Sequence, residues 1–124
     1  VNPEENIVVV ERGQQSRVSY TKEQVDEHLN LLKGWTLVEE RFIERKYVFY
    51  SFMKGISFVD EVATISEAFN HHPLITIDYK TVILRLTSWD EGYLTAIDMK
   101  EAQQYNEAFE KMCSNERKNV RQRS

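Results

Sequence analysis

Two adjacent histidines followed by a proline, His71-His72-Pro73, are the residues best suited to chemistry near neutral pH in this chain of 124 residues. Imidazole is the side chain whose ordinary pKa lets it both give and take a proton there. Pro73 has a fixed φ and biases His72 toward extended geometry, so the pair sits in a constrained junction. Neighbouring side chains of extended backbone point in opposite directions, and spacing alone requires only one imidazole to face a given pocket. A structural reading stands beside the chemical one, with one histidine capping a helix end and the other satisfied by backbone.

Other chemistries lack their parts. Only His28 and Cys113 remain as further nitrogen or sulfur ligands, and without HExxH or CxxC spacing no metal is expected. The four glycines, Gly13, Gly34, Gly55 and Gly92, form neither GxGxxG nor GxxxxGK, so no nucleotide cofactor is expected. No GxSxG marks a serine nucleophile.

The elements around the histidines can be read from apolar period. Thr21 and Gln24 form a capping-box pattern, Val25, Leu29 and Leu32 follow at helical spacing, and Gly34 ends the helix. Trp35 to Phe49 reads as two strands divided near Glu39-Glu40. From about Tyr50 to Asn70 the period is helical again, with two apolar stripes about 120° apart: Phe52, Ile56, Val59, Ala63, and Phe58, Val62, Ile65, Phe69. The apolar surface is wider than one sheet contact needs. The second stripe is therefore expected to meet another subunit, the competing reading being a helix sandwiched within its own monomer. After Pro73, Ile75 to Tyr79 and Val82 to Thr87 alternate as a hairpin turning near Lys80. A turn at Asp90-Glu91-Gly92 leads to a Thr95/Asp98 cap and a last helix ending near Met112. The order α-β-β-α-β-β-α predicts an α+β fold, a four-stranded antiparallel sheet with helices on one face.

Length and an apolar content of 41% fit one packed domain. We place it at residues 20–112, after an N-terminal arm, 1–19, that contains the β-branched run Ile7-Val8-Val9-Val10, and before a basic C-terminal tail, 113–124. A net charge of −4 speaks against a nucleic-acid-binding domain. The tail carries Arg117, Lys118, Arg121 and Arg123 without interleaved aromatics, which reads as a solvated terminus rather than a nucleic-acid or membrane contact. No run reaches the ~18 apolar residues of a membrane span, so a soluble protein is expected. The single Cys113 leans toward a reducing compartment, the cytoplasm first, with mitochondrial and nuclear placement left open. The first residue is Val1, so a preceding targeting segment is left open too.

Glu67-x-x-x-His71-His72-Pro73, then Tyr79, Trp89 and Asp98, resemble the signature of the pterin-4a-carbinolamine dehydratases. Gly34-Trp35, the helix ending at Asn70 and the order of elements extend the resemblance over about residues 20–112. It implies a dehydratase taking 4a-hydroxytetrahydrobiopterin to quinonoid dihydrobiopterin, the recycling step after aromatic amino-acid hydroxylation, without metal or organic cofactor. By similarity, His71 and His72 bind substrate and transfer protons, and Asp98 is a functional acid. Asn70, Thr87, Ser88, Trp89 and Asp90 match positions that line the pterin site, and Glu67 is read as structural. Many members carry a third histidine where this chain has Trp89; indole can stack on a flat pterin or orient it but cannot shuttle a proton. The resemblance also implies a homo-oligomer, dimer or tetramer. An alternative reading is a protein-interaction module, a dimerisation cofactor for a transcription factor with weak or no catalysis.

Overall fold

The computed structural model describes residues 18–123. The arm's β-branched run, Ile7 to Val10, lies outside them. Helix α1 (Lys22–Leu29) opens on the expected capping box, with both Thr21 and Gln24 side chains accepting the other's backbone N–H. Strand β1 (Thr36–Val38) turns back into β2 (Phe42–Val48) through Glu39 and Glu40, both at φ +56°. Helix α2 (Phe52–Phe69) is capped by the Ser51 side chain on the Lys54 N–H and ends at Asn70 in the left-handed conformation, φ +52°. Strands β3 (Leu74–Asp78) and β4 (Thr81–Leu86) form the hairpin, with Tyr79 at φ +52° in its turn. Helix α3 (Ala96–Arg123) completes the chain.

The four strands form one antiparallel sheet in the order β1-β2-β4-β3. The register pairs Ile43 with Leu86 on one face, and Glu44 and Leu74 with Arg85 on the other. The first face is the core face. Ile43, Tyr47, Val82, Leu84 and Leu86 are fully buried there, with Phe58 and Val62 of α2 and Ala102 and Tyr105 of α3 in the same apolar cluster. Inside it, Asn106 Oδ1 accepts from Trp35 Nε1 at 2.9 Å, Arg45 Nη1 at 2.7 Å and Tyr47 Oη at 2.6 Å, tying α3 to the sheet. Gly34 has φ +84°, a backbone conformation that calls for glycine, and a Cβ there would also push the Arg45 guanidinium, whose Nε would lie 2.5 Å away, aside.

Two expectations are corrected. Phe58 and Val62 lie in the monomer's own core, which excludes them as a subunit contact; the α2 surface left partly or fully exposed carries Phe52, Ile56, Val59 and Ala63. The sheet and α3 supply enough cover for the second stripe, which counting elements had underestimated. Helix α3 also continues past Met112, its last residue packed on the core, to Arg123. No Gly or Pro stands between them to stop it, so the helix outlasts its apolar face.

Candidate active site

The left-handed Asn70 reverses the chain at the end of α2, where the N–H groups of Asn70 and His71 bond the Glu67 and Ser66 carbonyls. His71 is thereby delivered to the start of α3. Its Nε2 lies 2.8 Å from Asp98 Oδ1, and Asp98 is fully buried. Asp98 Oδ2 accepts from the Ser88 hydroxyl at 2.7 Å and the Thr95 N–H at 2.9 Å. The Thr95 hydroxyl accepts from the Ile97 N–H, so the expected cap is present, with the Thr95 side chain reaching one residue short of Asp98. One carboxylate thus caps a helix and holds an imidazole.

Burial alone disfavours a charged His71. The Asp98 hydrogen bond and charge, with Glu101 and Glu91 behind it, outweigh that and raise the His71 pKa above its ordinary value. Neither ring is sealed inside: the His71 side chain keeps 19% of its surface and His72 keeps 55%. His72 Nε2 meets Glu67 Oε2 at 2.6 Å, so Glu67, read above as structural, orients the second imidazole.

A cleft of about 260 Å³ opens beside His72, lined by Phe42, Pro73, Leu74, Arg85, Thr87 and Trp89 as well. That is just under the usual ~300 Å³ floor for drug-sized ligands and suits a small heterocycle. Trp89 is 61% exposed, with its edge against Phe42 at 5.5 Å and the Arg41 guanidinium 4.9 Å from its ring centre. Thr87 is buried, its hydroxyl donating to the Arg41 carbonyl at 2.9 Å. His71, Asn70, Ser88 and Asp90 do not line the cleft: His71 and Ser88 meet at Asp98, while Asn70 and Asp90 are exposed in the flanking turns. The structure therefore brings His72, Thr87 and Trp89 to one opening and His71, Ser88 and Asp98 to an adjoining cluster. Larger clefts lie elsewhere, one of about 420 Å³ by Tyr20 and His28 and one of about 490 Å³ by Arg45 and Asn106. Neither includes the histidine pair, and size does not override chemistry in choosing among them.

Sequence reasoning missed Phe42, Leu74, Arg85 and Glu101. The first three share the outer sheet face, which the register makes visible: Arg85 lies opposite both Glu44 and Leu74, bonding Glu44 at 2.8 Å. Glu101, three residues after Asp98, is fully buried. Its Oε2 is hydrogen-bonded to the Tyr105 hydroxyl, and Oε1 has no partner among the described residues. Burial pushes its carboxyl up to about 7, against lowering by the Tyr105 bond and His71. The signal was present, since a residue at i+3 from Asp98 shares its helix face.

No helix among the described residues is long and apolar enough to cross a membrane, and no group of three or more His, Cys, Asp or Glu among them could hold a metal ion.

A four-stranded antiparallel sheet with this cluster at its edge places the protein in a known α+β class. Its fold matches the crystal structure of a "transcriptional coactivator/pterin dehydratase" from Brucella melitensis with a TM-score of 0.70 and 30% identity, over 73% of this chain and 97% of that one. The family model for pterin 4 alpha carbinolamine dehydratase matches residues 18–108, and the chain belongs to that family. Among relatives named "Putative pterin-4-alpha-carbinolamine dehydratase", one from Sulfurisphaera tokodaii is 36% identical over 70% of this chain and 92% of its own length. One from Koribacter versatilis is 46% identical over 64% of this chain and 83% of its own.

Proposed function

We propose that this protein is an active dehydratase, converting 4a-hydroxytetrahydrobiopterin to quinonoid dihydrobiopterin in tetrahydrobiopterin recycling. The observation that carries this reading is the pair of adjacent imidazoles, each on its own carboxylate, beside a cleft with an accessible indole. The reaction breaks the C4a–O bond and removes a proton from the neighbouring ring nitrogen. The N–H electron pair becomes the new C=N bond, and the hydroxyl leaves as water once protonated. His71, held as an imidazolium by Asp98, is suited to deliver that proton, and His72, at the cleft, to accept the one from the ring nitrogen. His72 is exposed enough to pass its proton to solvent, and His71 regains one through its solvent-facing edge, which resets the pair.

Trp89 stacks on the pterin plane, replacing by shape what a third histidine supplies in other members. Arg85 and Thr87 lie at the cleft wall, and Asn70, Ser88 and Asp90 complete the set by family resemblance. The protein's own residues account for both proton transfers without a cofactor. The test is a pterin analogue located in a crystal: its ring is expected between His71, His72 and Trp89, and binding in another cleft overturns the assignment.

The homo-oligomeric state and a transcription-factor partner are proposals of the same family. The Brucella melitensis protein is described as a "transcriptional coactivator/pterin dehydratase", which favours keeping the interaction-module reading as second. Here such a contact falls to the partly exposed α2 face of Phe52, Ile56, Val59 and Ala63.

A further inference from the structure

Three short contacts run in series through the core beneath His71. Glu101 Oε2 meets the Tyr105 hydroxyl, Tyr105 Oη meets Ser66 Oγ at 2.8 Å, and Ser66 Oγ meets the Val62 carbonyl at 2.7 Å. A carbonyl can only accept, so Ser66 donates to Val62 O. Tyr105 must then donate to Ser66, and its oxygen is left as the acceptor from Glu101. Three contacts need three protons, and the two hydroxyls supply two. The third has one source, the Glu101 carboxyl. An ionised Glu101 leaves two lone pairs facing each other at one of these contacts, where all three side chains are buried.

Charge leads to the same conclusion independently. Asp98 and Glu101 are both fully buried one turn apart on α3, and among the described residues His71 is the one cation bonded to either. Among those residues no lysine or arginine is a leading charge acting on Glu101. Asp98, with three donors, takes the carboxylate role; Glu101 Oε1, buried without a partner, fits the carbonyl oxygen of a neutral acid.

We propose that Glu101 is a positioning residue that holds a proton beside the His71–Asp98 pair, hydrogen-bonding it to Tyr105 at the head of the chain that ends on the Val62 carbonyl, so that its titration is coupled to that of His71. This deepens the dehydratase reading and rests on it for the role of His71, whereas the location of the proton does not. The groups that act on Glu101 are His71 and His72 from the junction before β3, Asp98 and Tyr105 on α3, and Ser66 on α2 through the Tyr105 hydroxyl. Burial has already placed its carboxyl near neutrality. When Glu101 ionises, its charge tightens the proton on His71, so the two titrate as a coupled pair.

The experiment is carboxyl ¹³C NMR of glutamate-labelled protein and imidazole NMR from pH 4 to 9, without substrate. One glutamate carboxyl is expected to titrate near 7, well apart from the exposed ones, and Glu101→Gln is expected to remove that resonance. The glutamine amide still donates to Tyr105, so this variant is expected to fold, with His71 titrating in one step at a lower pH than in the parent. If it fails to fold, Tyr105→Phe, which deletes the acceptor, identifies the same resonance by shifting it. All glutamates titrating near 4–5, or a His71 curve unchanged in a folded Glu101→Gln, overturns the proposal. A protein inactive on the carbinolamine with the near-neutral titration intact overturns the dehydratase reading and sustains the buried proton.

Discussion

His71 and Asp98 join the end of α2 to the start of α3 through one contact, Nε2 to Oδ1 at 2.8 Å, whose carboxylate is fully buried while the imidazole keeps a solvent-facing edge. An imidazole so held is charged from one side and reachable from the other. Removing the charge while keeping the shape is therefore informative. Asp98→Asn is expected to lower the His71 pKa, followed by imidazole NMR, and to reduce dehydration by roughly 10²-fold. Its amide can no longer accept in the same pattern from Ser88, Thr95 and His71, so about 1–3 kcal/mol of stability goes with it.

His72 separates chemistry from folding, because more than half its side-chain surface is exposed. His72→Ala is expected to slow dehydration by about 10²–10⁴ while leaving the thermal midpoint near that of the parent. A large drop in midpoint with activity per folded molecule retained identifies a packing role instead.

The pH dependence of stability follows from two raised pKa values. A group whose pKa is higher folded than unfolded binds its proton better in the folded state, so its contribution is full at low pH and lost as pH rises. For Glu101 that loss runs from its ordinary 4.5 to about 7, on the order of 3 kcal/mol, and His71 adds to it from 6.5 upward. Urea unfolding at steps from pH 5 to 8 is expected to show falling stability in the parent and a flatter profile in Glu101→Gln. A parent whose stability rises across that window contradicts the burial of these protonated groups.

Trp89 is expected to act through its ring face rather than its N–H. Trp89→Phe then costs several-fold in KM with kcat nearly kept, and Trp89→Ala costs more in KM, both read in steady-state dehydration kinetics. Equal losses in the two variants argue for a contact made by the indole nitrogen.

On α2, a charge placed at exposed Ala63 by Ala63→Glu is expected to lower the mass seen by light scattering, since Phe52, Ile56, Val59 and Ala63 form the face left open by the monomer. Unchanged mass with a folded variant removes this face from the proposed assembly.

Most of the architecture was legible because helix caps and apolar period are local signals. Thr21 with Gln24, Asn70 and the alternation through β4 each mark an element from within its own segment, whereas α1 stops at Leu29, ahead of the Gly34 read as its end. What was not legible depends on pairing. The partner of each histidine, Asp98 for His71 and Glu67 for His72, is set by how α3 docks against the end of α2 and by the turn at Asn70. Arg85 and Phe42 enter the cleft by sheet register, which no single strand encodes, and which α2 stripe faces inward was decided by α3 and the sheet together. Glu101 carries no motif of its own, although its spacing from Asp98 places it on the same, buried helix face.

The most direct test of the catalytic claim is the rate at which quinonoid dihydropterin forms when purified protein meets carbinolamine generated enzymatically in the same cuvette. The account predicts acceleration over the spontaneous reaction that disappears in a folded variant lacking both His71 and His72. A rate equal to the spontaneous one for the unaltered protein, or one untouched by loss of both imidazoles, contradicts it.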